Sequence, residues 1–407
     1  MQKVYIVGAK RTPIGSFLGS LKDASVAHLG STAVKGVLEE SGVAVEDINE
    51  VMIGNVLPAG QGQGVARQVS IHSGIPVTVP AYGVNMVCGS GMKTVMNAYM
   101  SILANENQVV VAGGVESMSQ TPYMVPGKSR SGLRLGNVEL EDHMVKDGLT
   151  DVFHGYHMGI TAENIVKQYG IGREKQDEFA YQSQQKAIQA IDAGEFQTEL
   201  TPVELVTRTG TTFIETDEYP NRYTNLKKLA SLRPAFTKNG TVTAGNASGI
   251  NDGASATLLV GESYLHEKNL KPLAEIISIG QGGVDPSVMG LGPTPAIKKA
   301  LKSAGLTLEQ IDILELNEAF AAQSLGVLHE LTKEFDVDKN KLMSRTNLNG
   351  GAIALGHPIG ASGNRILVTL IHLLKKKNLE YGLASLCIGG GMGTAIIIRN
   401  SNYDPGK

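Results

Sequence analysis

The stretch Ser31-Thr32-Ala33-Val34-Lys35-Gly36-Val37-Leu38 is matched 263 residues later by Thr294-Pro295-Ala296-Ile297-Lys298-Lys299-Ala300-Leu301. At the same offset, Gly42-Val43-Ala44-Val45-Glu46-Asp47-Ile48 lies against Gly305-Leu306-Thr307-Leu308-Glu309-Gln310-Ile311. In each copy apolar residues recur at helical spacing and a glycine suited to a helix C-cap follows. The chain then enters a short apolar run ending near an asparagine, Asn55 or Asn317. Further on, each copy has a glycine-rich turn that opens a helix: Cys88-Gly89-Ser90-Gly91-Met92 in the first, His357-Pro358-Ile359-Gly360-Ala361 in the second. Each closes on a strand with glycines, Val111-Ala112-Gly113-Gly114 or Leu386-Cys387-Ile388-Gly389-Gly390-Gly391. Four elements in matching order predict one α/β unit used twice rather than two unrelated lobes.

Short apolar runs alternating with helical patterns predict an α/β fold with a buried sheet. Strands are expected at 4–8, 50–54, 81–84 and 109–112, and again at 276–280, 313–316, 384–387 and 395–398. Helical spacing covers 31–41, 295–304 and 173–193. The segment 120–250 is a long insertion between the halves, which in a compact protein predicts a lid or binding region. The expected division is 1–119, with 251–270 returning to it, as one core half; 120–250 as the inserted domain; and 271–407 as the other half.

Composition narrows the function. The chain has 407 residues, 42% hydrophobic and 18% charged, which excludes a disordered or fibrous protein. A net charge of −3 gives no footing for nucleic acid or an anionic membrane as partner. Two cysteines exclude a disulfide framework and a multi-cysteine metal site. The 49 glycines sit in short clusters, suited to tight turns and close backbone approach. The N-terminus runs into an apparent strand without the layout of a signal peptide. The apolar stretch 366–374 is too short to cross a membrane. A soluble protein of a reducing, cytoplasmic compartment is expected.

Cys88 follows a strand and a turn and precedes Gly89-Ser90-Gly91 and a helical pattern. Its sulfur is expected near a helix N-terminus, where the dipole and free N–H groups lower a thiol pKa. A buried, inert core cysteine is the alternative. His357 holds the equivalent turn of the second half. Two equivalent turns meeting on a pseudo-symmetry axis would face Cys88 with His357, a pairing that activates a thiol. Cys387 ends a strand before Gly389-Gly390-Gly391; it is a strand cysteine, a disulfide partner or a cleft residue. That glycine run resembles a phosphate loop but lacks the Gly-Lys-Ser/Thr ending and leads into a strand, so its N–H groups suit an oxyanion better. Asn317 is either the N-cap of the next helix or a donor pointing into the cleft.

At these residues the chain resembles the thiolases along essentially its full length. The resemblance rests on Ala9-Lys10-Arg11-Thr12-Pro13-Ile14-Gly15, Asn85-Met86-Val87-Cys88-Gly89-Ser90-Gly91, Asn317-Glu318-Ala319-Phe320, Gly356-His357-Pro358-Ile359-Gly360 and Cys387-Ile388-Gly389-Gly390-Gly391, in that order. It implies two βαβαβαββ halves in a layered α-β-α-β-α core, an inserted loop domain, no metal or other cofactor, coenzyme A thioesters as substrates, and a dimer or dimer of dimers (a homotetramer). It implies that Cys88 carries the acyl group, His357 activates it and Cys387 moves the α-proton. Asn317, through a water, and His357 would hold the enolate oxygen, and the N–H groups of Cys88 and Gly389 the second oxyanion. Leu149, His157, Met158, Phe236, Ala244 and Ser248 fall on coenzyme A-contacting positions, with Phe320 beside the site. The stretch 219–228 departs from the family pattern; Arg222, Lys227 and Lys228 are phosphate candidates there or a solvated charged face.

Joining two acetyl groups needs a carbanion beside a thioester, an acyl group on a reactive sulfur, a second base for the α-carbon and two oxyanion sites. The resemblance thus implies an acetyl-CoA C-acetyltransferase forming acetoacetyl-CoA and CoA. His157-Met158 and Met289 resemble the short-chain, biosynthetic type. The rivals are a degradative 3-ketoacyl-CoA thiolase; a decarboxylating condensing enzyme, against which Cys387 speaks; and a non-catalytic CoA- or lipid-binding or redox-sensing protein.

Overall fold

The computed structural model describes residues 2–208 and 210–406. The first half runs β1 (Val4–Arg11), α1 (Val26–Ser41), β2 (Glu50–Gly54), α2 (Val65–His72), β3 (Ala81–Val84), α3 (Ser90–Leu103) and β4 (Val109–Ser117). The inserted segment carries α4 (Met158–Tyr169) and α5 (Arg173–Asp192). The chain then returns through β5 (Asn251–Gly261). The second half runs β6 (Ala274–Gly283), α6 (Pro293–Ala304), β7 (Ile313–Leu316), α7 (Ala321–Phe335), α8 (Ile359–Lys377), β8 (Tyr381–Ile388) and β9 (Met392–Asn400). The two helices expected at the repeat both end on left-handed glycines, Gly42 at φ 67° and Gly305 at φ 66°.

The strands form one path, β3-β2-β4-β5-β1-β6-β9-β8-β7, and its order reads the same outward from the middle. The two halves join at β1 and β6 through only two residue pairs, Tyr5–Glu275 and Ile6–Ala274. Each half then bends over α3 and α8, which pack on each other between them. Side-chain alternation builds the layers. Val110 and Ala112 point inward onto α3 and α8 together with Ile396 and Ile398, while Val109 and Val111 pack outward beneath α1. Ala395 and Ile397 pack outward beneath α6. The result is the expected α-β-α-β-α order, with the central strands β4 and β5 buried along their whole length.

The halves differ at one edge. The second half has no full counterpart of β3; its place is taken by a single bridge, Leu314 to Thr346. There the Asn347 side chain substitutes for a strand: its Oδ1 accepts from Leu316 N at 2.8 Å and its Nδ2 donates to Leu316 O at 2.8 Å. The eight-element half that the resemblance implies is therefore seven elements and a bridge in the second half.

The helices α3 and α8 can meet because the surrounding positions lack side chains. A Cβ on Gly91 would stand 2.8 Å from the Gly360 carbonyl oxygen, one on Gly54 2.9 Å, and one on Gly114 would overlap that oxygen outright. Gly114→Ala is expected to cost about 1–3 kcal/mol through overpacking. Gly127→Ala, where a Cβ meets nothing within 4 Å, is expected to stay within about 0.5 kcal/mol of wild type. Urea unfolding of the two variants checks the contrast.

Candidate active site

The close approach places the ends of the two equivalent turns side by side. Cys88 lies two residues before the first residue of α3, and His357 two residues before the first of α8. The turn at Cys88 is tight. Val87 adopts a left-handed φ of 46°, unfavourable for a β-branched residue, and Ser90 Oγ accepts from Met86 N at 2.9 Å while donating to Val87 O at 2.6 Å. His357 is fixed by its own N–H, which donates to Asn251 Oδ1 at 2.9 Å.

Both residues line a cleft of about 530 Å³ that is mostly apolar. Its walls bring together the expected residues Leu149, His157, Met158, Phe236, Ala244 and Ser248 from the insertion, and Met289, Phe320 and Gly389 from the second half. The His157 ring stacks on Phe236 with centroids 4.6 Å apart, and its Nδ1 accepts from Gly159 N at 3.0 Å, capping α4. Burial lowers the His157 pKa, consistent with a neutral ring in that role.

Two expected residues lie just behind the cleft wall. Cys387 is fully buried against Met289, Ala319 and Phe320. Asn317 is buried beside His357, its Nδ2 3.5 Å from both ring nitrogens and its Oδ1 without a partner among the described residues. The following helix begins four residues later at Ala321, capped at Phe320, so Asn317 is not an N-cap. Its backbone N–H donates to Ser385 O at 3.0 Å. The neighbouring Glu318 is held by Ser183 Oγ at 2.6 Å and Asn347 Nδ2 at 2.8 Å.

The charged candidates lie farther out. Lys228 borders a depression that adjoins the cleft through Tyr219 and Ala244, and its Nζ donates to Tyr223 O at 2.7 Å. Arg222 is at the surface and forms a two-pronged pair with Asp192, at 2.6 and 3.0 Å. Lys227 is exposed.

Electrostatics correct one expectation. The Cys88 thiol is not shifted toward thiolate: removal from water pushes it up to about 11, although the N–H groups of Gly389 and of Cys88 itself favour the anion. Desolvation outweighs the short reach of the helix terminus. Burial, with the positive charge of the buried Arg365 adding to it, pushes His357 down to about 3. Burial and the nearby Cys88 sulfur push the Cys387 thiol far up. The resting site is therefore thiol, neutral imidazole and thiol.

Several site residues were not singled out by the sequence reading. Asn251 and Ser362 hold His357; Asn347 sets the end of β7. Buried Glu116 accepts from Val56 N at 3.0 Å, Leu57 N at 3.1 Å, Gly360 N at 2.9 Å and Asn55 Nδ2 at 2.9 Å, tying the end of β2 to the start of α8. Burial pushes its carboxyl up to about 7. A polar residue one turn into a helix opened by a candidate histidine was the available signal for Ser362.

Comparison with known proteins agrees with this geometry. Residues 4–263 match the thiolase N-terminal domain and residues 270–400 the thiolase C-terminal domain. The chain belongs to the thiolase family. It is 52% identical over 398 residues to an acetyl-CoA acetyltransferase of Chromobacterium violaceum, covering 98% of this chain and 99% of that one. The fold is similar to the crystal structure of the Bacillus anthracis acetyl-CoA acetyltransferase, with TM-score 0.94, 43% identity, and 98% and 99% of the two chains covered. It is also similar to human mitochondrial 3-ketoacyl-CoA thiolase in complex with CoA, with TM-score 0.92, 43% identity and 98% of each chain covered.

The resting protonation state of this thiolase has a measurable consequence. Alkylation of Cys88 by iodoacetamide requires thiolate, so its rate is expected to climb steadily from pH 7 to 10, following mass-spectrometric labelling of the Cys88 peptide. A plateau already reached below pH 7 would mean a standing thiolate–imidazolium pair.

Proposed function

We propose that this thiolase is an acetyl-CoA C-acetyltransferase, converting two acetyl-CoA reversibly to acetoacetyl-CoA and CoA through an acetyl-Cys88 intermediate. The observation that carries the reading is that Cys88 and His357 share one apolar cleft with Met289 and Phe320, while Asn317, beside His357, and Cys387, packed on Met289 and Phe320, lie directly behind its wall.

His357 takes the Cys88 proton as the sulfur attacks the acetyl carbonyl. The developing oxyanion accepts from the N–H groups of Cys88 and Gly389. The carbon–sulfur bond to CoA breaks, and the departing CoA thiolate takes the Cys387 proton. This leaves acetyl-Cys88, a His357 imidazolium and a Cys387 thiolate. A thiol pKa pushed far up makes that thiolate a strong base, suited to the weakly acidic methyl of the second acetyl-CoA. The enolate oxygen is held by the imidazolium and by Asn317 through a water. The enolate carbon attacks the acetyl carbonyl, Cys88 leaves as thiolate, and the imidazolium returns its proton. Both cysteines end as thiols and the histidine neutral, so the cycle closes.

The inserted segment 120–250 supplies the CoA-binding wall, with core halves 1–119 plus 251–270 and 271–407. Leu149, His157, Met158, Phe236, Ala244 and Ser248 line the pantetheine path, and Lys228 stands where the adjoining depression would take the nucleotide. Arg222 reaches a phosphate only by leaving Asp192. We further propose a cytoplasmic homo-oligomer, a dimer or dimer of dimers. It is supported by apolar side chains left exposed along the insertion, among them Leu133, Leu135, Leu140 and Phe153. Among the described residues no helix is long and apolar enough to cross a membrane.

Two variants test the reading. Cys387→Ala is expected to accept acetyl on Cys88 normally while condensation falls about 10²–10⁴-fold, the range of a general acid–base step. Near-normal acetoacetyl-CoA formation by that variant would remove Cys387 from the chemistry. Met289→Ala opens space beside Phe320 and is expected to raise the activity ratio of six-carbon to four-carbon 3-ketoacyl-CoA thiolysis. A wild-type preference for the longer substrate would instead favour the degradative type.

A further inference from the structure

The reading above requires an unprotonated His357 Nε2 in the resting enzyme, and nothing in the catalytic set itself fixes which ring nitrogen carries the proton. Among the described residues no carboxylate is hydrogen-bonded to this ring; its Nδ1 lies 2.6 Å from the Ser362 hydroxyl oxygen. That hydroxyl also stands 2.9 Å from the carbonyl oxygen of Pro358, the residue that caps α8. A hydroxyl has a single proton and here makes two short contacts. If the hydroxyl donated to Nδ1, two oxygens would face each other at 2.9 Å with no proton between them. If it donates to Pro358 O, its lone pair is left for Nδ1–H, and both contacts are hydrogen bonds. Asn317 offers no rival preference, because its Nδ2 sits at the outer limit of 3.5 Å from both nitrogens alike.

We propose that Ser362 is the positioning residue of the catalytic histidine: by accepting from Nδ1–H and donating to Pro358 O it holds His357 as the Nδ1–H tautomer, with Nε2 free for the Cys88 proton. Its place in the fold makes this a rigid support. Ser362 is fully buried on the first turn of α8. The adjacent Ala361 carbonyl is fixed by Ser255 Oγ at 2.8 Å, and the Gly360 N–H by Glu116 at 2.9 Å. The His357 backbone is pinned independently by Asn251. The ring is thus fixed at one end through its backbone and at the other through Nδ1. A hydroxyl in this position leaves the imidazolium without a fixed counter-charge, in keeping with the lowered His357 pKa. The protonated ring is then a strong donor, able to hold the enolate oxygen and return its proton to Cys88. The inference rests on His357 being the group that activates Cys88.

The test uses full-length enzyme labelled with ¹⁵N-histidine. The His357 signal is assigned by its loss in His357→Asn. Long-range proton–nitrogen spectra of the wild type are expected to show Nδ1 protonated and Nε2 bare. Ser362→Ala is expected to give a tautomer mixture and to lower kcat for acetoacetyl-CoA thiolysis about 10²-fold, with KM changed less than about twofold. A wild-type ring protonated at Nε2 would overturn the proposal, whether or not the variant folds. So would a folded Ser362→Ala enzyme with wild-type kcat and an unchanged tautomer. Full activity in His357→Asn is a different failure, since it would overturn the assignment of His357 itself.

Discussion

The approach of two helix N-termini without intervening side chains is the constraint on which the molecule depends. Gly54, Gly91 and Gly114 all crowd the Gly360 carbonyl, so α3 and α8 pack backbone to backbone in the middle layer. From that contact the rest follows. The pseudo-symmetric halves must fold over the helix pair, the two equivalent turns must end side by side, and Cys88 and His357 must open onto the same cleft. Packing of this kind tolerates almost no volume change, because protein interiors have few voids to absorb a methyl group.

The site stores little charge at rest. Each of its titratable groups is shifted toward its neutral form by loss of water: the Cys88 and Cys387 thiols upward and the His357 imidazole downward. Opposed shifts of this kind mean that the charged state, when reached, is a strongly basic thiolate facing a strongly acidic imidazolium. That pairing is suited to pulling a proton from carbon and holding the resulting enolate. Preorganised N–H groups at Cys88 and Gly389 add stabilisation where charge develops, without needing a charged partner in the ground state.

Most of the architecture was legible because burial on both faces makes strands uninterrupted apolar runs, and because one unit is used twice. The helix ends at Gly42 and Gly305 were legible for a local reason, the left-handed cap. What escaped was polar structure inside the core. Strand β5 opens with Asn251-Asp252-Gly253-Ala254-Ser255, which reads as a loop, yet it is buried. Its polar side chains are consumed by tertiary bonds to His357, Ser119 and Ala361. The missing edge strand, replaced by the Asn347 side chain, was invisible for the same reason. Among the site residues, cysteine and histidine announced themselves through their turns, whereas Ser362 acts on partners one helical turn back and Glu116 on partners 59 to 244 residues away. The Cys88 pKa was misjudged because a sequence displays the helix terminus but not the apolar cleft wall around the sulfur.

The central claim is that one sulfur carries the acetyl group and a different one handles the proton. Peptide mass spectrometry after brief exposure of the wild-type enzyme to acetyl-CoA alone tests it most directly. The account predicts an acetyl group on Cys88 and none on Cys387. Acetyl on Cys387, or on neither cysteine, would contradict it.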